Sequence, residues 1–328
     1  MNHLFILNPR SFRERKHMDL FISSVYDYFK HESPQSYAVE VSHFPRDAGG
    51  IIRDFAASWP ESEAMRVYAV GGDGILFDCL NGIFGLPNAE LAAMPYGRTN
   101  NFVRGLGKRN MHFFRNLSLQ AASPTIPLDV MHCGGIYALN FCTVGTESDA
   151  LRRTMAMREF FENGGFLSRW LGRVFYINLY YLAALFACSK RSNLRRFYRV
   201  DIDGENFSGC YRGINISNTS YYGGDGHPVH VKPSVRPDDG VLDAVLCSCG
   251  TTLRTLSRIP AYLKSRYEKY PQDFSVHKAR KITISSDSAM LVNFDDVVYF
   301  DKTLTVEVLP RAIRFVDVRS YGLGGDGG

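Results

Sequence analysis

Apolar residues along the first third of the chain alternate between two rhythms. Residues 3–7 are a short apolar run, and residues 16–30 carry Phe21, Val25, Tyr28 and Phe29 as one stripe at helical spacing. Tyr37, Val39 and Val41 then alternate as a half-buried strand, and residues 47–59 read as a helix despite Gly49-Gly50. Residues 65–70 predict another strand, 76–84 another helix, and 91–94 a further strand. Strands separated by helices predict a parallel sheet covered on both faces, with ligands at the carboxyl ends of its strands.

From Asp129 the pattern changes. Residues 136–141, 197–202, 211–215, 241–247, 282–285 and 291–294 read as strands separated by turn residues, with Asp203-Gly204-Glu205-Asn206 as a hairpin turn. One helical insertion, residues 160–188, interrupts an otherwise all-β signature of a sandwich or barrel-like unit. The longest apolar run, residues 174–188, is broken by Asn178 and is shorter than the ~20 residues a spanning helix needs. The N-terminus turns polar too soon for a signal peptide. Residues 321–328 read as a disordered tail, whose second Gly-Gly-Asp-Gly lacks a flanking strand or helix.

Composition narrows this only moderately. With 328 residues, 45% hydrophobic and 22% charged, the chain is long enough for two domains with ample core. A formal charge of +5 does not by itself imply nucleic acid. The seven cysteines have no paired C-x-x-C spacing, which predicts a reduced, cytoplasmic protein without structural zinc; Cys247 and Cys249 read as one core face.

The chemistry concentrates at Gly71-Gly72-Asp73-Gly74, between a strand and a helix. Glycines there let the backbone approach a ligand, and a helix N-terminus offers N–H groups to an anion. The loop has an aspartate and no lysine, so it is no P-loop; phosphate with a hydrated cation beside Asp73 suits it. Alone it could also be a hairpin turn. Asn8-Pro9-Arg10-Ser11 and Gly97-Arg98-Thr99-Asn100-Asn101 also follow strands and can converge with it. Asp238-Asp239-Gly240 alone is an acidic turn, and His227 with His230 lacks a third metal ligand.

Taken in order and spacing, these segments resemble the diacylglycerol kinase catalytic-domain family, which includes sphingosine and ceramide kinases, from Asn8 to about Val316. The resemblance implies an α/β plus all-β fold. An N-terminal three-layer, doubly wound α/β nucleotide-binding domain would take residues 1–127 plus 304–320. A C-terminal β-sandwich lipid-substrate domain with a helical insertion would take residues 128–303. It implies ATP and Mg²⁺, with Asn8, Ser11, Gly71, Gly72, Asp73, Gly74, Gly97, Arg98, Thr99, Asn100 and Asn101 around the nucleotide. It assigns a structural Mg²⁺ to Asp239 with the carbonyls of Arg236 and Val241, a network position to Asp129, and the general base for the lipid hydroxyl to Asp295, with Asp73 as a catalytic partner. Asp295 and Asp129 also read as turn residues.

The insertion carries the lipid expectation. Phe160, Phe161, Phe166, Trp170 and Phe175 belong to an apolar helix flanked by Arg152, Arg153, Arg158, Arg169, Arg173, Lys190, Arg191, Arg195, Arg196 and Arg199. A basic rim beside apolar surface suits an anionic membrane, and a core helix with a solvated basic face would read alike. The expected partners are a lipid substrate and a membrane surface, contacted transiently at the inner face; no nucleic acid is implied, and a homodimer stays open. The chain departs from the family on the nucleotide side, where Ile75 and Arg98 each replace a threonine, Asn101 an aspartate and Val297 a glutamate, with Asp296 and Phe12 each replacing a glycine. Those departures leave a second reading: a catalytically degenerate lipid- or nucleotide-binding regulatory protein.

Overall fold

The computed structural model describes residues 1–59, 63–107, 111–165, 187, 196–222, 229–230 and 235–319. Two compact units emerge. The first comprises Met1–Val130, Ile136–Leu139 and the chain from Leu309 onward, the second Met131–Gly135 and Asn140–Val308.

The first unit is built on β1 (Asn2–Leu7), α1 (Arg15–Asp27), β2 (Ser36–Val41), α2 (Ala48–Ala57), β3 (Met65–Gly71), α3 (Asp73–Ile83) and β4 (Ala89–Pro95). Then come the short helices α4 (Asn101–Gly107) and α5 (Leu117–Ala122), strand β5 (Thr125–Cys133), which runs into the second unit, and β6 (Ile136–Ala138). Strands β2, β1, β3 and β4 pair in parallel in that spatial order, β1 matching Leu7 to Val41 on one side and to Val70 on the other. The two faces bury separate clusters. Leu4, Ile6, Val67, Leu80 and Leu91 belong to one, and Phe5, Phe21, Phe29, Tyr68 and Met94 to the other. Period-two side chains thus serve both faces of a covered sheet, which is why these strands read as near-continuous apolar runs. The order 2-1-3 places a topological switch point between β1 and β3, where a crevice opens outside the strand ends.

The second unit contains β7 (Phe141–Gly145), α6 (Thr146–Asn163), β8 (Arg196–Ile202), β9 (Glu205–Asn206), β10 (Gly209–Ser217), β11 (Tyr221–Tyr222) and β12 (Val229–His230). It continues with β13 (Leu242–Ser248), α7 (Thr252–Leu263), β14 (Phe274–Ala279), β15 (Lys281–Phe294) and β16 (Val297–Val316), whose end joins the first unit. Strands β14, β13, β10, β7, β15 and β16 pair antiparallel in that order, while β8 pairs with both β10 and β15. Among the described residues no helix is long and apolar enough to cross a membrane.

Several expectations need correction. Residues 136–141 are not one strand: the chain breaks at Leu139-Asn140 between β6 and β7. The segments 282–285 and 291–294 are one strand with an irregularity between Ser285 and Met290. Its polar stretch, Ser285 to Ser288, hid the continuity. The insertion starts earlier than expected, with α6 at Thr146, and α7 is a second helix in the unit that read as otherwise all-β. Cys249 is not core; it lies beyond the end of β13 and is half-buried. Residues 166–186, with Trp170 and Phe175, and Arg169, Arg173, Lys190, Arg191, Arg195, His227 and the tail lie outside the described residues.

Candidate active site

In the first unit the three loop segments meet at the switch point. Asn8 N–H donates to Val70 O at 3.0 Å, and both Tyr96 N–H and Gly97 N–H donate to Gly71 O at 2.9 Å. Asn8 caps the turn that follows, accepting from Arg10 N–H at 3.0 Å. The glycines are there for contact. A Cβ on Gly71 would stand 2.7 Å from Ile75 Cγ2 and 2.9 Å from Ser11 Oγ, and one on Gly97 only 2.3 Å from Gly72 Cα. Gly74, by contrast, has nothing within 4 Å and is exposed at the start of α3. Asn100 adopts the left-handed region at φ 49°, and its Nδ2 donates to Gly97 O at 2.7 Å.

Asp73 sits at the first position of α3 and turns its carboxylate onto the third loop. Its Oδ2 accepts from Asn101 N–H at 2.8 Å and from Thr99 Oγ1 at 3.2 Å, while Oδ1 accepts from Phe102 N–H at 3.1 Å. It therefore satisfies amides at the start of α4, a cap supplied from another element. Burial pushes the carboxyl upward, against the lowering effect of those donors. A carboxylate has about four acceptor directions, and three are occupied. Asp73 thus suits contact with a hydrated Mg²⁺ through water better than direct ligation.

The departures sort themselves by position. Ile75 is 3% exposed and belongs to the core, so it is not on the ligand side as the sequence reading had it. Phe12 stacks on Tyr96 at 5.1 Å against the other core face. Asn101 is buried, and Arg98 is exposed.

The aspartate of the second unit occupies a hairpin. Asp295 and Asp296, at φ 43° and 67°, form the two-residue turn joining β15 to β16, with Phe294 opposite Val297. Asp295 is 7% exposed. Its Oδ1 accepts from Phe141 N–H at 2.9 Å and Oδ2 from Asn140 N–H at 3.0 Å, so it also fixes the start of β7. Asp129 is not in a turn: it lies within β5, fully buried, accepting from Arg311 N–H at 2.8 Å.

Asp239 fits Mg²⁺ poorly. Its Oδ2 accepts from Lys278 Nζ at 3.3 Å and its Oδ1 from Val241 N–H at 3.3 Å. Lys278 Nζ also binds Asp243 Oδ2 at 2.6 Å, while Arg236 makes a two-point pair with Asp238. The turn thus carries its own cations. Those carboxylates raise the Lys278 ammonium against the opposing effect of its partial burial. Adding EDTA or Mg²⁺ to nucleotide-free protein should therefore leave the melting temperature unchanged. A Mg²⁺-dependent rise that Asp239→Asn removes would restore the metal to this turn. Sequence reasoning missed Lys278 because β14 places it beside Asp243 across a strand pair, a contact no local spacing encodes.

The basic rim is partly accounted for. Arg152 and Arg153 pair with Asp149 at 3.1 and 3.0 Å, and Arg199 with Asp287 at 2.9 Å. Phe160, on the last turn of α6, is exposed.

A doubly wound unit with glycine loops at its switch point, followed by an antiparallel sandwich unit, defines an α/β fold with a β-sandwich second domain. The family model for the diacylglycerol kinase catalytic domain matches residues 2–133, and that for the YegS C-terminal NAD kinase beta sandwich-like domain matches residues 173–317. Residues 2–133 thus belong to the diacylglycerol kinase catalytic-domain family, and residues 173–317 to the YegS C-terminal domain family. A protein of Shewanella frigidimarina (strain NCIMB 400) named "Probable lipid kinase YegS-like" is 24% identical over 290 residues, covering 83% of this chain and 86% of its own. A solved Bacillus anthracis str. Sterne structure has TM-score 0.69 at 21% identity, covering 96% of both chains. Another, described as a diacylglycerol kinase, has TM-score 0.63 at 19% identity with the same coverage. At such identity the structures share the fold.

Proposed function

We propose that this chain is an ATP- and Mg²⁺-dependent lipid kinase acting on a hydroxyl of diacylglycerol or a related sphingoid or ceramide-type lipid. The observation that carries the reading is the meeting of the Asn8, Gly71–Gly74 and Gly97–Asn101 segments at the switch point of the sheet. Backbone amides at the start of α3, and Gly74 with no side chain in the way, suit a polyphosphate. The resemblance and the relatives' names support the lipid acceptor. Mg²⁺ bound with the nucleotide supplies neutralisation of charge on the phosphates. Asp295 accepts the hydroxyl proton as the alcohol oxygen bonds to the γ-phosphorus and the bond to the β-phosphate oxygen breaks, giving lipid phosphate and ADP. Exposed Phe160, within a stretch of sequence rich in arginine, supports a peripheral membrane contact.

Incubating purified protein with labelled ATP, Mg²⁺ and vesicles of diacylglycerol, ceramide or sphingosine tests this. Label should pass to one of these lipids. ATP binding by calorimetry with no transfer to any lipid would leave the regulatory reading, which the departures at Arg98, Asn101 and Val297 favour. Arg98, exposed on the third loop, is assigned to a nucleotide phosphate as a charge-assisted donor. Arg98→Thr restores the family residue yet should raise KM for ATP several-fold. An unchanged KM would remove Arg98 from the site.

A further inference from the structure

Two cysteines of the second unit face each other across a strand pair. β10 and β13 run antiparallel, with Tyr211 opposite Ser248, and Cys249 N–H donates to Cys210 O at 3.1 Å. Cys210 and Cys249 are therefore the next opposed pair, with side chains on the same side of the sheet. A hydrogen-bonded antiparallel pair holds its Cα atoms about 5.5 Å apart. A disulfide needs about 4.4–6.8 Å. Access differs from that of the other described cysteines: Cys79, Cys133, Cys142 and Cys247 are buried, whereas Cys210 is exposed and Cys249 half-buried.

We propose that Cys210 and Cys249 are a thiol-modification site that peroxide converts reversibly to a disulfide. The two thiols have unequal roles. Burial, then the neighbouring Cys210, pushes the Cys249 thiol up to about 11, so it stays protonated at neutral pH. The exposed Cys210 sulfur therefore attacks hydrogen peroxide first, giving a sulfenic acid and one water. The Cys249 sulfur then bonds to that sulfur and displaces a second water. Two thiols and one peroxide yield one disulfide and two waters, and a dithiol reductant returns both thiols. The bond would tie β10 to the segment that leads through the capping residue Thr251 into α7. From α7, Tyr262 Oη–H donates to Glu147 Oε2 at 2.6 Å, so the tether reaches the first turn of α6.

The test is peptide mapping of the full chain after brief treatment with hydrogen peroxide and alkylation. The expected product is a peptide pair joined through Cys210 and Cys249, absent after dithiothreitol. In Cys249→Ser, Cys210 should instead accumulate as sulfenic and then sulfinic acid. The oxidised wild type should melt several degrees higher than the reduced protein, and the variant should show no such rise. Both cysteines recovered as free thiols after peroxide would overturn the proposal. So would Cys210 over-oxidised in the wild type with Cys249 still free, or a bridge from either to Cys188.

Discussion

Asp295→Asn should lower lipid-dependent turnover by about 10²–10⁴, the usual worth of a positioned general base, while leaving KM for ATP nearly unchanged. The variant will not be structurally silent. Asp295 accepts one amide on each carboxylate oxygen, from Phe141 and Asn140, in a nearly buried corner. Asparagine keeps one acceptor and turns its NH₂ toward the other amide. A buried donor left unsatisfied costs about 1–3 kcal/mol, enough to lower the melting temperature by several degrees. Assays well below that temperature separate the two effects. Turnover that falls only with the folded fraction would make Asp295 a hairpin and β7 fixture and nothing more. Wild-type turnover would exclude it as the base.

The same dual use explains what the sequence could and could not show. Strand β1, β3 with its glycine loop, and β4 were legible because parallel strands buried on both faces are continuous apolar runs ended by turn residues. Asn8, Gly71 and Gly97 could be placed at strand ends on that basis, and their meeting follows from the parallel register. Direction was not legible. Asp73 reads as a metal carboxylate from its loop, yet its acceptors face the amides of Asn101 and Phe102, 28 and 29 residues away. Ile75 reads as a lost ligand hydroxyl, yet the helix turns it into the core. Asp239 reads as a metal turn until β14 brings Lys278 beside it. In each case partners from distant segments decide where a side chain points. Asp129 is the case for backbone context, since Leu128-Asp129-Val130 looked like a junction turn and is the middle of a buried strand.

Gly97→Ala should cost about 10² or more in kcat/KM for ATP, the penalty expected when reacting groups shift by ~1 Å. The added Cβ would fall 2.3 Å from Gly72 Cα and 2.8 Å from Gly72 N. Both are backbone atoms, so no side-chain rotation relieves the clash, and the two loops must part by about an ångström. Such overpacking typically costs about 1–3 kcal/mol, so the melting temperature should fall as well. A companion substitution isolates the ligand. Gly74→Ala meets nothing within 4 Å and lies at the start of α3, where alanine is well tolerated. Its melting temperature should match the wild type. If phosphate approaches the backbone there as proposed, the new methyl meets the nucleotide and weakens ATP binding in calorimetry several-fold. Wild-type ATP affinity in Gly74→Ala would move the phosphates away from this loop. A Gly97→Ala protein that melts and turns over as the wild type does would contradict the backbone contact between the two glycine segments, on which the site rests.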